Sequence, residues 1–373
     1  MKRGKPVWGL ILLFLCTALV ACTDNSAKDN AIVKDHSERA AENREPKKSK
    51  QEITLTAVGD ILIHERVYED AKIDGKYDFM PMLEHVEPFI NDSTVAFANQ
   101  ETMIGGDELG LSTYPRFNSP HEIGDALKDI GINVVSLANN HTLDRGEEAV
   151  DQAIEYWKFI DMMYTGAFKS QEDSNIIRVL ETKEGISIAF LAYTYGTNGI
   201  PVPTGKDYLV NLIEKQHMAD VIALSLHFGN EYERMPSEEQ KELVQFAANQ
   251  GVDIVLGHHP HVLQPMEWVI GKNGNKTLAA YSLGNFLSGQ YELYRRIGGI
   301  LHVTITKNIR GEIEVIAPQF TPTFVKFQDD DTDYEVLPMY QLSNNDLAGS
   351  DMHYEEIKAH MSQWMPELEF LEK

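Results

Sequence analysis

VDIVLGHHPHV, residues 252–262, runs from an apolar stretch straight into three histidines within four positions. A short run with four apolar residues, Val252 and Ile254–Leu256, bounded by a glycine reads as a buried strand, and a strand that ends in imidazoles presents ligands at a sheet edge. The same pattern recurs outward along the chain. ITLTAV (53–58) is followed by Gly59, Asp60 and, four residues later, His64; TVAFA (94–98) by Asn99 and Glu101; NVVSLA (133–138) by Asn139, Asn140 and His141; DVIALSL (220–226) by His227 and Glu231. Further strands are expected at ISIAFLAY (186–193), LAAYSL (278–283), GILHVTI (299–305) and IEVIAP (313–318). Between them, HEIGDALKDIG (121–131), RGEEAVDQAIEYWKFI (145–160) and PSEEQKELVQFAANQG (236–251) carry apolar residues at helical spacing. Strands alternating with helices predict a layered α/β fold. In open α/β sheets ligands bind at the carboxyl ends of the strands, where five of these strands deliver carboxylate, amide or imidazole groups.

Carboxylates with imidazoles and no thiolate suit Zn, Mn or Fe at an open site, rather than a closed structural zinc. His259 and His261 stand two apart, so an extended backbone would point both to one side. Two ions sharing a carboxylate could activate water and clamp a phosphoryl group.

The front of the chain gives an address. Lys2, Arg3 and Lys5 precede an apolar stretch, Val7–Ala21, shorter than the roughly 20 residues that span a bilayer comfortably. This is a secretory signal, residues 1–21. It ends in Leu19-Val20-Ala21-Cys22, which resembles a bacterial lipobox and implies a lipid on Cys22 and residence at the extracytoplasmic face of the cell membrane. Cys16 would be removed with the signal, leaving no cysteine pair to oxidise. Residues 22–51 hold hardly an apolar side chain and read as a disordered tether. A main domain is expected over 52–320 and a C-terminal extension packed on it over 321–373.

The chain carries 33 Lys plus Arg against 57 Asp plus Glu, a formal charge of -24. Such a field repels nucleic acid, which is excluded as a partner, and also opposes any polyanion except where a metal ion or a few arginines meet it locally.

Gly59-Asp60, Asn139-Asn140-His141, Ser225-Leu-His227-Phe-Gly229, Gly257-His-His-Pro-His261 and Tyr281-Ser-Leu-Gly-Asn285-Phe286 resemble signature stretches of the CapA/PgsA family of bacterial envelope proteins, associated with making and anchoring poly-γ-glutamate capsule. The resemblance covers roughly residues 53–290. It implies a metallophosphatase-like α/β/β/α sandwich of two packed sheets and a pair of metal ions. Carried over residue by residue, it places Asp60 on the first metal, Glu101 between the two, Asn140 and His227 on the second, and His259 and His261 completing both. His141 falls where such enzymes protonate a leaving group or steady the transition state. The pattern departs from the general enzymes at three points: His64 lies four residues beyond Asp60 where Asp-x-His is usual, Asn99-x-Glu101 replaces an aspartate, and His258 is an extra histidine after Gly257. His64, Asn99, Asn139, His258, Glu231 and Asn285 are therefore candidate metal or substrate residues. Arg116, beside aromatics in LSTYPRFNSP (111–120), is a candidate receiver of a carboxylate or phosphate. Asp144 is expected to cap the helix after it rather than to hold His141, and Tyr156, Trp157 and Phe159 to be core.

Two functions follow: a tethered protein of poly-γ-glutamate synthesis or anchoring, working beside capsule synthase membrane proteins, or an extracellular metal-dependent phosphoesterase. A solute-binding lipoprotein would leave the histidine-rich strand ends without a purpose.

Overall fold

In the computed structural model, which describes residues 50–176, 178–199 and 219–373, two sheets face each other. The first runs in the order Glu335–Pro338, Ile313–Lys326, Ile297–Lys307, Gln51–Leu62, Val95–Gln100, Val134–Ser136, Met163–Thr165, with the short strands Asn285–Ser288 and Glu369–Phe370 joined at its side. The second runs Leu263–Ile270, Lys276–Leu283, Ile254–His258, Val221–His227, Ser187–Thr194, Val179–Glu181. In the first sheet Gln51–Leu62, Val95–Gln100 and Val134–Ser136 are parallel, and in the second so are Ser187–Thr194, Val221–His227 and Ile254–His258. Their carboxyl ends supply the side chains of the site.

Alternation along the strands explains the layers. In Gln51–Leu62, Ile53, Leu55 and Ala57 enter the cluster between the sheets, where they meet Phe97, Phe190, Ala223, Ile254 and Leu256. Val58 turns to the opposite face, as a period of two requires, and the irregular register around Asp60 carries Ile61 to that face as well. Phe97 and Phe190 stack across the interface with ring centroids 5.9 Å apart, a pair that contributes about 0.5–1.5 kcal/mol beyond its burial.

The helices Glu122–Asp129 and Gly146–Phe159 cover the outer face of the first sheet through Ile123, Leu127, Ile154 and Trp157. Glu238–Asn249 covers the second through Val244, Ala247 and Ala248. The result is the layered α/β/β/α sandwich of two packed sheets that the sequence leads one to expect. Trp157 is fully buried, whereas Phe159 is 81% exposed, on the solvent side of the same helix, and is not core.

Ser237 opens Glu238–Asn249 with a capping box: its hydroxyl accepts from the Gln240 N–H while the Gln240 side chain accepts from the Ser237 N–H. Replacing Ser237 by Ala leaves an N-terminal donor unpaired. The expected outcome is a loss of about 1 kcal/mol in unfolding free energy, readable as a lowered denaturant midpoint with unchanged slope; an unchanged midpoint would remove the cap from the account.

Gln51 already belongs to the first strand, while the signal, Cys22 and the tether as far as residue 49 lie outside the described residues. Strand Ile313–Lys326 runs through residue 320 and pairs with Glu335–Pro338 and Glu369–Phe370. Beyond it, Tyr354, Ile357 and Met361 of helix Ser350–Ser362 join the cluster between the sheets. Among the described residues no helix is long and apolar enough to cross a membrane.

Candidate metal centre

The site begins with a close backbone contact. A Cβ on Gly59 would sit 2.0 Å from the Gly284 carbonyl, so only glycine lets the Asp60 N–H donate to that carbonyl at 2.8 Å. This contact sets Asp60 beside Asn285, and the parallel register sets it beside Asn99.

Asp60 is fully buried and takes bonds from several directions. Asn99 Nδ2 donates to Oδ1 at 2.9 Å. His261 Nδ1 lies 3.1 Å from Oδ2 and His258 Nδ1 3.2 Å from Oδ1. Burial acts to raise the Asp60 carboxyl, but the bonds and charge of the two histidines outweigh it and hold the group well below the usual carboxylate range.

Glu101 is the opposite case. It follows strand Val95–Gln100, its side chain is completely buried, and among the described residues neither carboxylate oxygen has a hydrogen-bond partner. Oε1 lies 3.7 Å from His227 Nε2 and 3.6 Å from His261 Nε2. Burial, reinforced by the Asp60 charge, pushes the Glu101 carboxyl well above its usual range despite the pull of His261. An unpaired buried carboxylate costs several kcal/mol, and a cation would offset that cost.

The histidines divide in the same way. Burial and the neighbouring His259 hold His227 well below its ordinary value, and burial with His261 lowers His259 to about 4. Both are neutral at pH 7, as ligands must be. For His261 burial also acts downward, but Glu101 and Asp60 dominate and raise it to about 9.

Ligand atoms converge in three groups, each within 4.8 Å: Glu101, His227 and His259; Asp60, Glu101 and His261; and Glu231, His259 and His261. Asn140 Oδ1 adjoins the first, 2.8 Å from His227 Nε2, and Asn285 Oδ1 the second, 3.1 Å from His261 Nδ1. Glu101 is common to the first two groups. Carboxylate, imidazole and amide donors around a carboxylate with no other partner fit divalent or transition metal ions, with no thiolate in the set.

Several candidates stand elsewhere. His258 is the last residue of its strand, fully buried, with Phe97 6.0 Å away; it supports Asp60 from below and belongs to none of the three groups. His64 Nδ1 accepts from the Gly289 N–H at 3.1 Å and its ring meets Phe117 edge-on at 5.3 Å. Asn139 is spent on the turn: its Nδ2 donates to the Gln100 carbonyl and its Oδ1 accepts from the His141 N–H. The extended geometry expected for His259 and His261 is not present. The strand stops at His258, and both residues have left-handed backbones, φ 95° and 57°. The turn, rather than a pleat, brings the rings to 6.0 Å of each other, a conformation costing of order 1–3 kcal/mol for each residue.

Asp144 also corrects the sequence reading. The helix Gly146–Phe159 has Arg145 at its start and no side-chain cap. Asp144 Oδ2 instead lies 2.6 Å from His141 Nδ1 and accepts the Phe117 N–H at 2.8 Å. A carboxylate on Nδ1–H orients the ring and leaves Nε2 available to a substrate oxygen. Two neighbours were missed altogether. Asn198 Nδ2 reaches within 3.3 Å of His141 Nδ1; it follows strand Ser187–Thr194, and the strand-end argument extended to that sixth strand would have found it. Tyr232, φ 69°, places its ring 6.2 Å from His261, and no local pattern announces it.

Comparison with known proteins gives this geometry a lineage. Residues 54–290 match the family described as "Bacterial capsule synthesis protein PGA_cap". The chain is 30% identical over 306 residues to "Capsule biosynthesis protein CapA" of Bacillus anthracis, covering 78% of this chain and 70% of that protein. It is 27% identical over 285 residues to "PGA biosynthesis protein CapA" of Bacillus subtilis (strain 168), covering 70% of each. Among solved structures, Haemophilus influenzae NAD nucleotidase (NadN) aligns with a TM-score of 0.44 at 11% identity, over 87% of this chain and 57% of that one. The matched span contains all the converging groups, from Asp60 to Asn285, and the chain belongs to the bacterial capsule synthesis protein PGA_cap family.

Proposed function

We propose that this chain is a membrane-tethered component of poly-γ-glutamate capsule synthesis or anchoring, with a cleft that holds two divalent or transition metal ions, drawn from Mn, Zn or Fe, and receives the polymer. The observation that carries this is Glu101, fully buried with both oxygens unpaired and shared by two groups of ligand atoms. Asp60, Glu101 and His261 would hold one ion; Glu101, Asn140, His227 and His259 the other. Such a pair supplies an activated water and a clamp on developing negative charge.

The remaining residues act on the substrate. Asp144 takes the Nδ1 bond of His141, so that Nε2 can deliver a proton to a departing oxygen or nitrogen. Buried strand ends exclude bulk water on the sheet side. That pair also favours the second reading, a metal-dependent phosphoesterase of the cell envelope, because an oriented imidazole beside a metal cleft suits a phosphoryl leaving group.

In this reading the lipid on Cys22 keeps the domain at the extracytoplasmic face, beside the membrane proteins of the capsule synthase. Two variants in cells lacking their own protein of this family test it. Cys22→Ala should leave the chain outside the membrane fraction or uncleaved. Glu101→Gln, accumulating like the parent, should fail to restore capsule polymer. Full polymer from the Glu101 variant would sink the metal-cleft role, and a processed, membrane-bound Cys22 variant would show another anchor.

A further inference from the structure

Beside His141 the cleft opens into a cavity of roughly 790 Å³, bounded by Asn140, His141 and Glu231 on the metal side and by Tyr114, Arg116 and Arg145. This is far more than a metal pair and its water need, and it lies in the range of ligand pockets, about 300–1,000 Å³.

Its two arginines differ. Arg145 is committed to the fold: its guanidinium donates to the Gly110 and Leu109 carbonyls and to Ser112 Oγ, at 2.8–2.9 Å. Arg116 is exposed, and among the described residues its guanidinium has neither an ion pair nor a hydrogen bond. In a chain with a net charge of -24, whose cavity also carries Asp144 and Glu231, that uncommitted fork is the local exception an anion requires.

The loop holding Arg116 is not loose. Asn118, fully buried, accepts the Gly105 N–H at 2.8 Å and donates to the Gly106 and Gly110 carbonyls at 2.9 and 3.1 Å. The adjacent Phe117 meets the His141 ring edge-on at 4.7 Å. Its N–H shares one oxygen of Asp144 with His141 Nδ1. A single carboxylate thus ties the Phe117 backbone, next in the chain to Arg116, to the imidazole.

We infer that Arg116 is the anion-receiving residue of the cleft, gripping a carboxylate of an acidic chain laid along this cavity so that a neighbouring linkage meets His141. This deepens the capsule reading and rests on it for the identity of the chain, but not on the metal, since Arg116 belongs to none of the ligand groups.

The test uses the full-length chain in detergent, with γ-linked pentaglutamate, a pentaglutamine of the same linkage and inorganic phosphate as probes in titration calorimetry. Arg116→Gln should weaken pentaglutamate binding about tenfold or more, because a charge-assisted fork is lost. Arg116→Lys should fall between, keeping the charge without the fork. Pentaglutamine should bind weakly and equally to all three, and metal content and melting temperature should not move. Equal pentaglutamate affinity in parent and Arg116→Gln would overturn the proposal. So would a loss confined to inorganic phosphate, which would mark a phosphoester site instead. A parent that binds no metal yet loses pentaglutamate on Arg116→Gln would refute the metal cleft and uphold the assignment of Arg116.

Discussion

Full-length chain carrying His259→Ala together with His261→Ala will retain little of the metal that the unsubstituted chain holds after reloading with Mn, Zn or Fe. The two rings serve all three groups of converging ligand atoms, so their removal leaves Asp60, Glu101 and His227 without a complete set at either position. In the parent, saturating metal will raise the melting temperature: an ion at 100 times its dissociation constant adds about 2.7 kcal/mol to folding stability, worth several degrees in a domain this large. The double variant will lose that increment.

The pH dependence has a definite sign. In the metal-free protein burial and the Asp60 charge push the Glu101 carboxyl well above its usual range, and the carboxylates of Glu101 and Asp60 raise His261 to about 9, so that His261 holds a proton at pH 7. A cation that takes His261 as a ligand must displace that proton. Affinity will therefore climb as pH rises toward 9 and fall on acidification, and binding at pH 7 will release protons, measurable as a dependence of calorimetric heat on buffer ionisation enthalpy. A parent chain that takes up none of the three metals would end the metal-centre reading.

His141→Ala will behave differently. The ring belongs to none of the ligand groups, so metal content should match the parent. Any hydrolysis of an aryl phosphate should drop by about 10²- to 10⁴-fold, the usual loss when a positioned acid is removed. Asp144→Asn should follow in the same direction, by roughly 10- to 100-fold, because Nδ1 loses its anionic partner while Phe117 keeps an acceptor. Metal analysis and turnover on the same preparations separate ligand from acid. Loss of metal in His141→Ala would make it a ligand. A metal-loaded parent that hydrolyses no aryl phosphate would remove the phosphoesterase reading and leave the cleft a holder of polymer.

The legible parts of the fold were those written in local pattern. ITLTAV, TVAFA and DIVLG are apolar because both faces of their strands are covered, and the helix before Gly251 is framed by its capping box and a glycine at φ 89°. Met163–Thr165 and Val179–Glu181 escaped notice because three-residue edge strands carry too little alternation to register. Helix Ser350–Ser362 escaped because its buried stripe of large apolar residues is only three long, Tyr354, Ile357 and Met361, and an exposed Met352 blurs it.

The sequence by itself determined which chemical groups gather at the carboxyl edge, since strand ends of an α/β fold must emerge together: Asp60, Glu101, Asn140, His227, His259 and His261 could be named from spacing and resemblance. What each group does there was decided by the tertiary structure. His258 and His259 are neighbours in sequence, yet the turn sends one beneath Asp60 and the other into two ligand groups. Asp144 faces His141 and Phe117 rather than the helix it precedes, and among the described residues Glu101 is left with two bare oxygens. Burial, partner and charge are properties of pairs brought together from distant segments, and no local stretch of chain contains both members.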